Sequence, residues 1–307
     1  MSYLQQNLGF SLILATLGDR LQLLGRLLDS LASQIEQGVD VELIVVEQSD
    51  RPRLWEKALR SWRNRDRIIY KHVNWRGLSA ARNFGLTLAT KPFIGFPDDD
   101  CWYPPNLLVK IGKLLQNGLD IVGVRHGPRA ACCIDAFQFK VIGVREAREL
   151  FRLPAFGLFF RRHVFIELGG FDEQLGLGRE IGAGEETDLL VRAYLRGMKI
   201  AVVSGCTIGH PTLDVTKLDY RRGRAYGLGF GVICRRYVRY LPLTIALIFM
   251  ERCFTDISSA IVRGLLKLDR ARTVYDLAKL SGRLHGFFLT HSGLDRPHDS
   301  GDRLLHD

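Results

Sequence analysis

The stretch PFIGFPDDDCWYPP, Pro92 to Pro105, poses the question on which the fold turns. Phe93, Ile94 and Phe96 read as a short buried strand. It runs straight into Asp98, Asp99 and Asp100, and then into an aromatic pair and two prolines. Three adjacent carboxylates at a strand end repel one another, so the arrangement calls for a counter-charge.

The pattern upstream places that strand in a series. FSLILAT (Phe10–Thr16), VELIVVEQSD (Val41–Asp50) and RIIYKHV (Arg67–Val73) are short apolar runs that read as strands. Between them, LQLLGRLLDSLASQ (Leu21–Gln34) has leucines at helical spacing, and RLWEKALRSWR (Arg53–Arg63) also reads as a helix. Ser79 reads as the N-cap of a third helix through AARNFGLTLA, which stops before Pro92. Alternating strand and helix predict an α/β fold with a doubly wound, mostly parallel sheet. In such sheets ligands bind outside the carboxyl ends of the strands. Three strands end there in polar sets: Thr16 to Asp19, Glu47 to Asp50, and Asp98 to Asp100. Downstream, IVGVRHG, LFFRRHVFIELGGF and KIAVVSG contain further strands, and EETDLLVRAYLRG is a helix closed by Gly197.

The chain has 307 residues and a formal net charge of +10. Residues 216–290 hold 14 Lys and Arg against 5 Asp and Glu, so nearly all the excess sits there. A basic balance suggests an anionic partner. No nucleic-acid-binding pattern accompanies it, and nucleic acid is not the expected partner. The six cysteines form no CxxC pair, which argues against a zinc knuckle, and the adjacent Cys132 and Cys133 do not look like a secreted disulfide framework. A reduced, cytoplasmic setting is expected. Phe10 to Leu17 reads as a first strand and not as a signal peptide. The longest later apolar run, Tyr240 to Met250, is 11 residues, too short to span a bilayer.

Hard oxygen ligands in a short loop suit Mg²⁺ or Mn²⁺ alongside substrate phosphates. Asp98 and Asp100 are two apart and can bracket one ion while Asp99 turns outward; the plain alternative is a solvated acidic turn. A second cluster, GAGEETDLLVRA (Gly182–Ala193), sets Glu185, Glu186 and Asp188 at a helix start. Acids favour helix N-termini in any case, yet this set also suits a general base. In NWRGLSAARNFG (Asn74–Gly85), Arg82 could reach a phosphate or base, or be an ordinary helix arginine.

Together these segments resemble an inverting family 2 glycosyltransferase with the GT-A fold, over about residues 8–212. The counterparts are Thr16, Glu47, Asn74 with Gly77 and Ala81-Arg82-Asn83, Asp98-Asp99-Asp100, Gly169 to Glu173, and Gly182 to Asp188. The resemblance implies a nucleotide-sugar donor, expected to be a UDP-sugar, and a saccharide or lipid-linked saccharide acceptor. Thr16, Glu47, Arg82, Asp98 and Asp99 would face the donor, Glu47 accepting from the nucleobase and Arg82 near base or phosphate. Asp98 and Asp100 would hold the metal, with Asp100 the main ligand. His210 falls where relatives often place a metal- or phosphate-contacting histidine. Glu186 would be the base, with Glu185 and Asp188 as orienting groups. The family often has two Asp where Glu47 and Gln48 stand, and usually Asp where Glu186 stands. Trp102 and Tyr103 would wall the acceptor site or pack in the core.

The domain expectation is a catalytic domain at 1–215, a basic, apolar helical appendage at 216–290 and a polar tail at 291–307. The appendage, with Arg235, Arg236 and Arg239, is expected to touch an anionic membrane surface at the cytoplasmic face. A sugar-phosphate nucleotidyltransferase would need a glycine-rich, basic loop after the first strand, which ATLGDR is not. A non-catalytic sugar-binding module would not need both acidic clusters.

Overall fold

The computed structural model describes residues 8–133, 136–211, 219–266 and 269–288, so the expected polar tail lies outside the described residues. The described residues form two compact units. One is drawn from 8–142, 153–170 and 193–211, and the other from 143–152, 171–192 and the residues from 219 on. The second unit thus takes in two stretches earlier in sequence than the basic segment.

The first unit carries a nine-stranded sheet: β1 (Gly9–Thr16), β2 (Asp40–Glu47), β3 (Ile68–His72), β4 (Phe93–Gly95), β5 (Ile121–Gly127), β6 (Ala131–Cys132), β7 (Gln138–Val141), β8 (Leu158–Arg161) and β9 (Ile200–Gly209). The order is β3-β2-β1-β4-β8-β5-β9-β6, with β7 also on β9. β1 to β4 pair in parallel, as do β5 and β9, while β8 enters antiparallel between β4 and β5. Parallel pairing needs helical crossovers. These are α1 (Leu21–Glu36), α2 (Pro52–Arg60) and α3 (Leu78–Thr87), with α4 (Leu107–Gln116) leading into β5 and the short α5 (Arg162–Glu167) following β8. Every residue of β1 is buried, as expected of a strand covered on both faces. Leucines 24, 27, 28 and 31 of α1 fill the core on one side of it.

Two local readings change. α3 starts at Leu78 with Gly77 as its N-cap, and Ser79 is buried inside the first turn. Gly77 has φ 151° and gives its N–H to Gln48 Oε1, so the turn is closed by the side chain just past β2 instead of by a capping serine. Cys132 and Cys206 form a disulfide, unexpected from the sequence. They lie 74 residues apart but face each other across the β6–β9 ladder, where opposed side chains are neighbours.

The second unit contains the start of α6 (Glu185–Leu195), α7 (Tyr220–Tyr237), α8 (Pro242–Leu265) and α9 (Arg270–Phe288). α7 and α9 approach until their backbones nearly touch. A Cβ on Gly227 would lie 2.0 Å from the Lys279 carbonyl oxygen, and one on Gly282 would lie 2.3 Å from that of Arg224. α8 starts at a proline, whose missing N–H costs nothing at a first helical position. Among the described residues no helix is long and apolar enough to cross a membrane.

Candidate active site

The first unit gathers its acids at the end of β4. Phe93, Ile94 and Phe96 are buried, and the chain turns out of the sheet as Asp98 to Asp100. This loop is pinned to the end of β9: Trp102 and Gly209 exchange both backbone hydrogen bonds at 2.9 Å, and the His210 N–H donates to the Gly127 carbonyl. That anchoring carries His210 to the acids, more than 100 residues on in sequence. Its ring stacks on Phe156 at 4.7 Å, and Nδ1 lies 2.8 Å from the Pro211 carbonyl oxygen. With Nδ1–H donating there, Nε2 points at Asp100 Oδ1, 3.3 Å away.

Asp98, Asp100 and His210 each offer a ligand atom within 4.8 Å of the others. Two carboxylates and an imidazole are a donor set for Mn²⁺ more than for Mg²⁺, which prefers oxygen alone. The buried Oδ1 of Asp100 makes no well-directed hydrogen bond, so one lone pair remains to be used. The residues present therefore fit a divalent cation.

The repulsion among the three acids is also met from within the protein. Arg20, just before α1, pairs through Nε with Asp99 Oδ1 at 2.9 Å and through Nη1 with Asp100 Oδ2. Arg82 on α3, 2% exposed, reaches Asp98 at 3.2 Å. Asp99 does not turn outward as expected. It is 3% exposed and accepts from the Thr16 hydroxyl at 2.5 Å, because the loop folds it back against the end of β1. Burial pushes the Asp99 carboxyl up to about 6 against the pull of Arg20. Burial also acts on Asp100, but His210 and Arg20 outweigh it and hold its carboxyl below the ordinary range. Asp100 in turn raises the pKa of the His210 imidazole against its burial. Asp98 is pushed up by burial, with Arg82 opposing.

At the ends of β2 and β3, Glu47 is fully buried, with its oxygens engaged inside the protein. Oε1 accepts from the Ser49 N–H at 2.5 Å, and Oε2 accepts from the Tyr70 hydroxyl at 3.2 Å and lies 2.9 Å from His72 Nδ1. His72, opposite Glu47 in the ladder, is the more exposed partner. The sequence reading missed both Arg20 and His72. Arg20 follows the polar set at the end of β1 and His72 ends β3, but only the fold shows that one faces the acids and the other Glu47. Tyr103 is buried against Phe159, which makes it core. Trp102 stays half-buried with the Arg26 guanidinium over its ring.

In the second unit the acids of α6 divide by environment. Asp188 is fully buried. Its Oδ1 accepts from Arg236 at 2.6 Å and Tyr237 at 2.7 Å, and its Oδ2 accepts from Arg192 at 2.8 Å. Burial works against its charge, yet Arg192 and Arg236 prevail and its carboxyl sits low. Arg236 also binds Asp172 at 2.9 Å. This corrects its reading as a surface cation: it is 2% exposed and joins α7 to both acids. Glu185 is buried, whereas Glu186 is half-buried. The loop ahead of them lies on α7, where a Cβ on Gly229 would meet the Ala183 carbonyl oxygen at 2.3 Å.

Residues 11–132 match the family described as Glycosyl transferase family 2. A dolichol-phosphate mannosyltransferase of Pyrococcus furiosus is 30% identical over 103 residues, 32% of this chain and 29% of that protein. The chain thus spans under a third of the length of that relative. Among solved structures, S. aureus TarS 1-349 in complex with UDP-GlcNAc aligns with TM-score 0.54 at 16% identity, covering 92% of this chain and 93% of that one. The mannosyltransferase PcManGT from Pyrobaculum calidifontis, in complex with GDP-Man and Mn²⁺, aligns with TM-score 0.58 at 15% identity, covering 91% and 87%. At these identities the likeness is one of fold, and the fold is GT-A.

Proposed function

We propose that the protein is a metal-dependent, inverting glycosyltransferase, a reading supported by the match of residues 11–132 to Glycosyl transferase family 2 and by the GT-A likeness of the fold. It moves a sugar from a nucleotide-sugar donor to a hydroxyl of a saccharide or lipid-linked saccharide. The observation that carries the reading is the Asp98–Asp100–His210 donor set at the carboxyl end of the β4 strand.

Asp98, Asp100 and His210 hold the cation, and a divalent ion there would neutralise charge developing on the leaving diphosphate. Arg20 keeps its hold on the other oxygen of Asp100. Arg82 orients Asp98 and stands near the phosphates. Thr16 and Asp99 support the loop from beneath. Glu47, through His72, sets the nucleobase edge, and a UDP-sugar is the proposed donor. Glu186 takes the proton from the acceptor hydroxyl, whose oxygen forms the new bond to the anomeric carbon as the bond to the diphosphate breaks. Glu185 and Asp188 keep the helix carrying Glu186 in place. The protein works at the cytoplasmic face of the membrane, with exposed Arg235, Arg239, Arg270 and Arg272 supplying contact to anionic lipid.

A screen of UDP- and GDP-sugars tests this, reading nucleoside diphosphate release and the anomeric configuration of the product by NMR. The proposal expects release from one donor class with inversion. No release from any donor, or a retained configuration, would overturn it.

A further inference from the structure

The outer face of α8 carries a row of large apolar side chains at Leu243, Leu247, Met250, Phe254, Ile257 and Ile261, each between 41% and 79% exposed. The opposite face is the packed one, with Ile245, Ile248 and Asp256 buried. The spacing along the row is 4-3-4-3-4, the repeat of a helix that seats against another helix and not the broader stripe of one lying against a core. The flanking positions are small or uncharged: Thr244 and Ser258 on one side, Ala246, Cys253 and Ala260 on the other. Small flanks permit close helix approach. The one charged flanking residue, Glu251, is neutralised within its own chain by Arg148 and by Arg152 at 2.7 Å.

We propose that this face is the contact between two copies of the chain, with α8 packed antiparallel against its equivalent about a two-fold axis near Arg252. The spacing is palindromic about that point. Leu243 then opposes Ile261, Leu247 opposes Ile257, and Met250 opposes Phe254, so the seam is complementary to itself as an isologous contact requires. The six side chains would bury on the order of 600 Å² per copy, approaching the roughly 800 Å² per partner of a standard interface. A lipid surface fits less well. An interfacial helix sets Lys and Arg beside its apolar face, and the flanks of this row carry neither. The inference does not depend on the glycosyltransferase reading.

The test is sedimentation equilibrium of the full chain at micromolar concentration, for the parent and for Leu247→Glu/Phe254→Glu. Both sites are exposed, so helix content should be unchanged. The expected result is a dimer for the parent and at least a tenfold weaker association for the variant. In a Cys133→Ser background, a short bismaleimide should join two copies through Cys253, which lies beside the proposed axis, and Cys253→Ser should abolish the product. A monomeric parent would overturn the proposal, as would a dimer that survives the double substitution. So would binding of the monomer to phosphatidylglycerol vesicles that the double substitution removes, which would assign the face to lipid.

Discussion

At the scale of single residues, environment sorts the acids that look alike in sequence. Asp188 is held by Arg192, Arg236 and Tyr237, whereas Glu186 is half-buried at the start of the same helix. If Glu186 is the base, Glu186→Gln should cut transfer about 10²–10⁴-fold with donor affinity kept, because the amide cannot take a proton. Glu186→Asp should fall between Gln and the parent, its shorter reach being the only loss. Full transfer by the Gln variant would move the base elsewhere. Arg236→Met predicts a different failure. It takes the guanidinium from buried Asp172 and leaves Asp188 with Arg192 and Tyr237 alone, and breaking a buried pair from one side costs about 3–5 kcal/mol. Urea unfolding should show that loss, and an unchanged midpoint would count against the network. The pH dependence has a definite sign. Asp188 is depressed in the folded protein, so its contribution is present above the unfolded carboxylate value of about 3.9 and is lost as pH falls through the lower folded value. Asp188→Asn should therefore flatten the acid limb of the stability curve. For His210, whose pKa is raised, Mn²⁺ must displace a proton. Mn²⁺ affinity should rise with pH through that titration, and His210→Gln should make the slope shallower. Asp98, Asp100 and His210 could all be singled out in the sequence, and the structure brings them together. Arg20 and His72 could not, because a long side chain's destination and a strand's register are tertiary facts.

Among elements, strand and helix periods made the sheet legible: runs such as FSLILAT and VELIVVE admit few other readings. The helix start lies at Gly77 and not Ser79 because Gln48, just past the end of β2, closes the turn that a serine was expected to cap. The tight packing of α7 on α9 was also hidden. Gly223, Gly227 and Gly231 recur every four residues, but only Gly282 and Gly286 opposite give that spacing a meaning. Gly227→Ala should cost about 1–3 kcal/mol, as overpacking does, since its methyl would meet the Lys279 carbonyl at 2.0 Å. A fall in Tm of several degrees by calorimetry is the expected reading, and no change would show that the two helices part easily.

For the whole molecule, the sequence places the excess charge in residues 216–290 but not how it is used. Arg236 and Arg283 are buried on Asp188 and Asp256, while Arg235 and Arg239 remain outside. A tally of charge alone cannot separate salt-bridged arginines from surface ones. The basic segment is in this respect partly structural, and α7 belongs with the acidic helix α6 as much as with α8 and α9. The central claim concerns the other unit, where two carboxylates and an imidazole are proposed to serve a nucleotide-sugar donor. It is tested most directly by donor turnover with Mn²⁺ and with EDTA, in the parent and in Asp100→Asn at saturating donor. The account predicts turnover in the parent that EDTA abolishes, and none above background in Asp100→Asn at any Mn²⁺ concentration, with the fold intact by circular dichroism. An ordinary rate in Asp100→Asn, or a parent rate indifferent to EDTA, would contradict it.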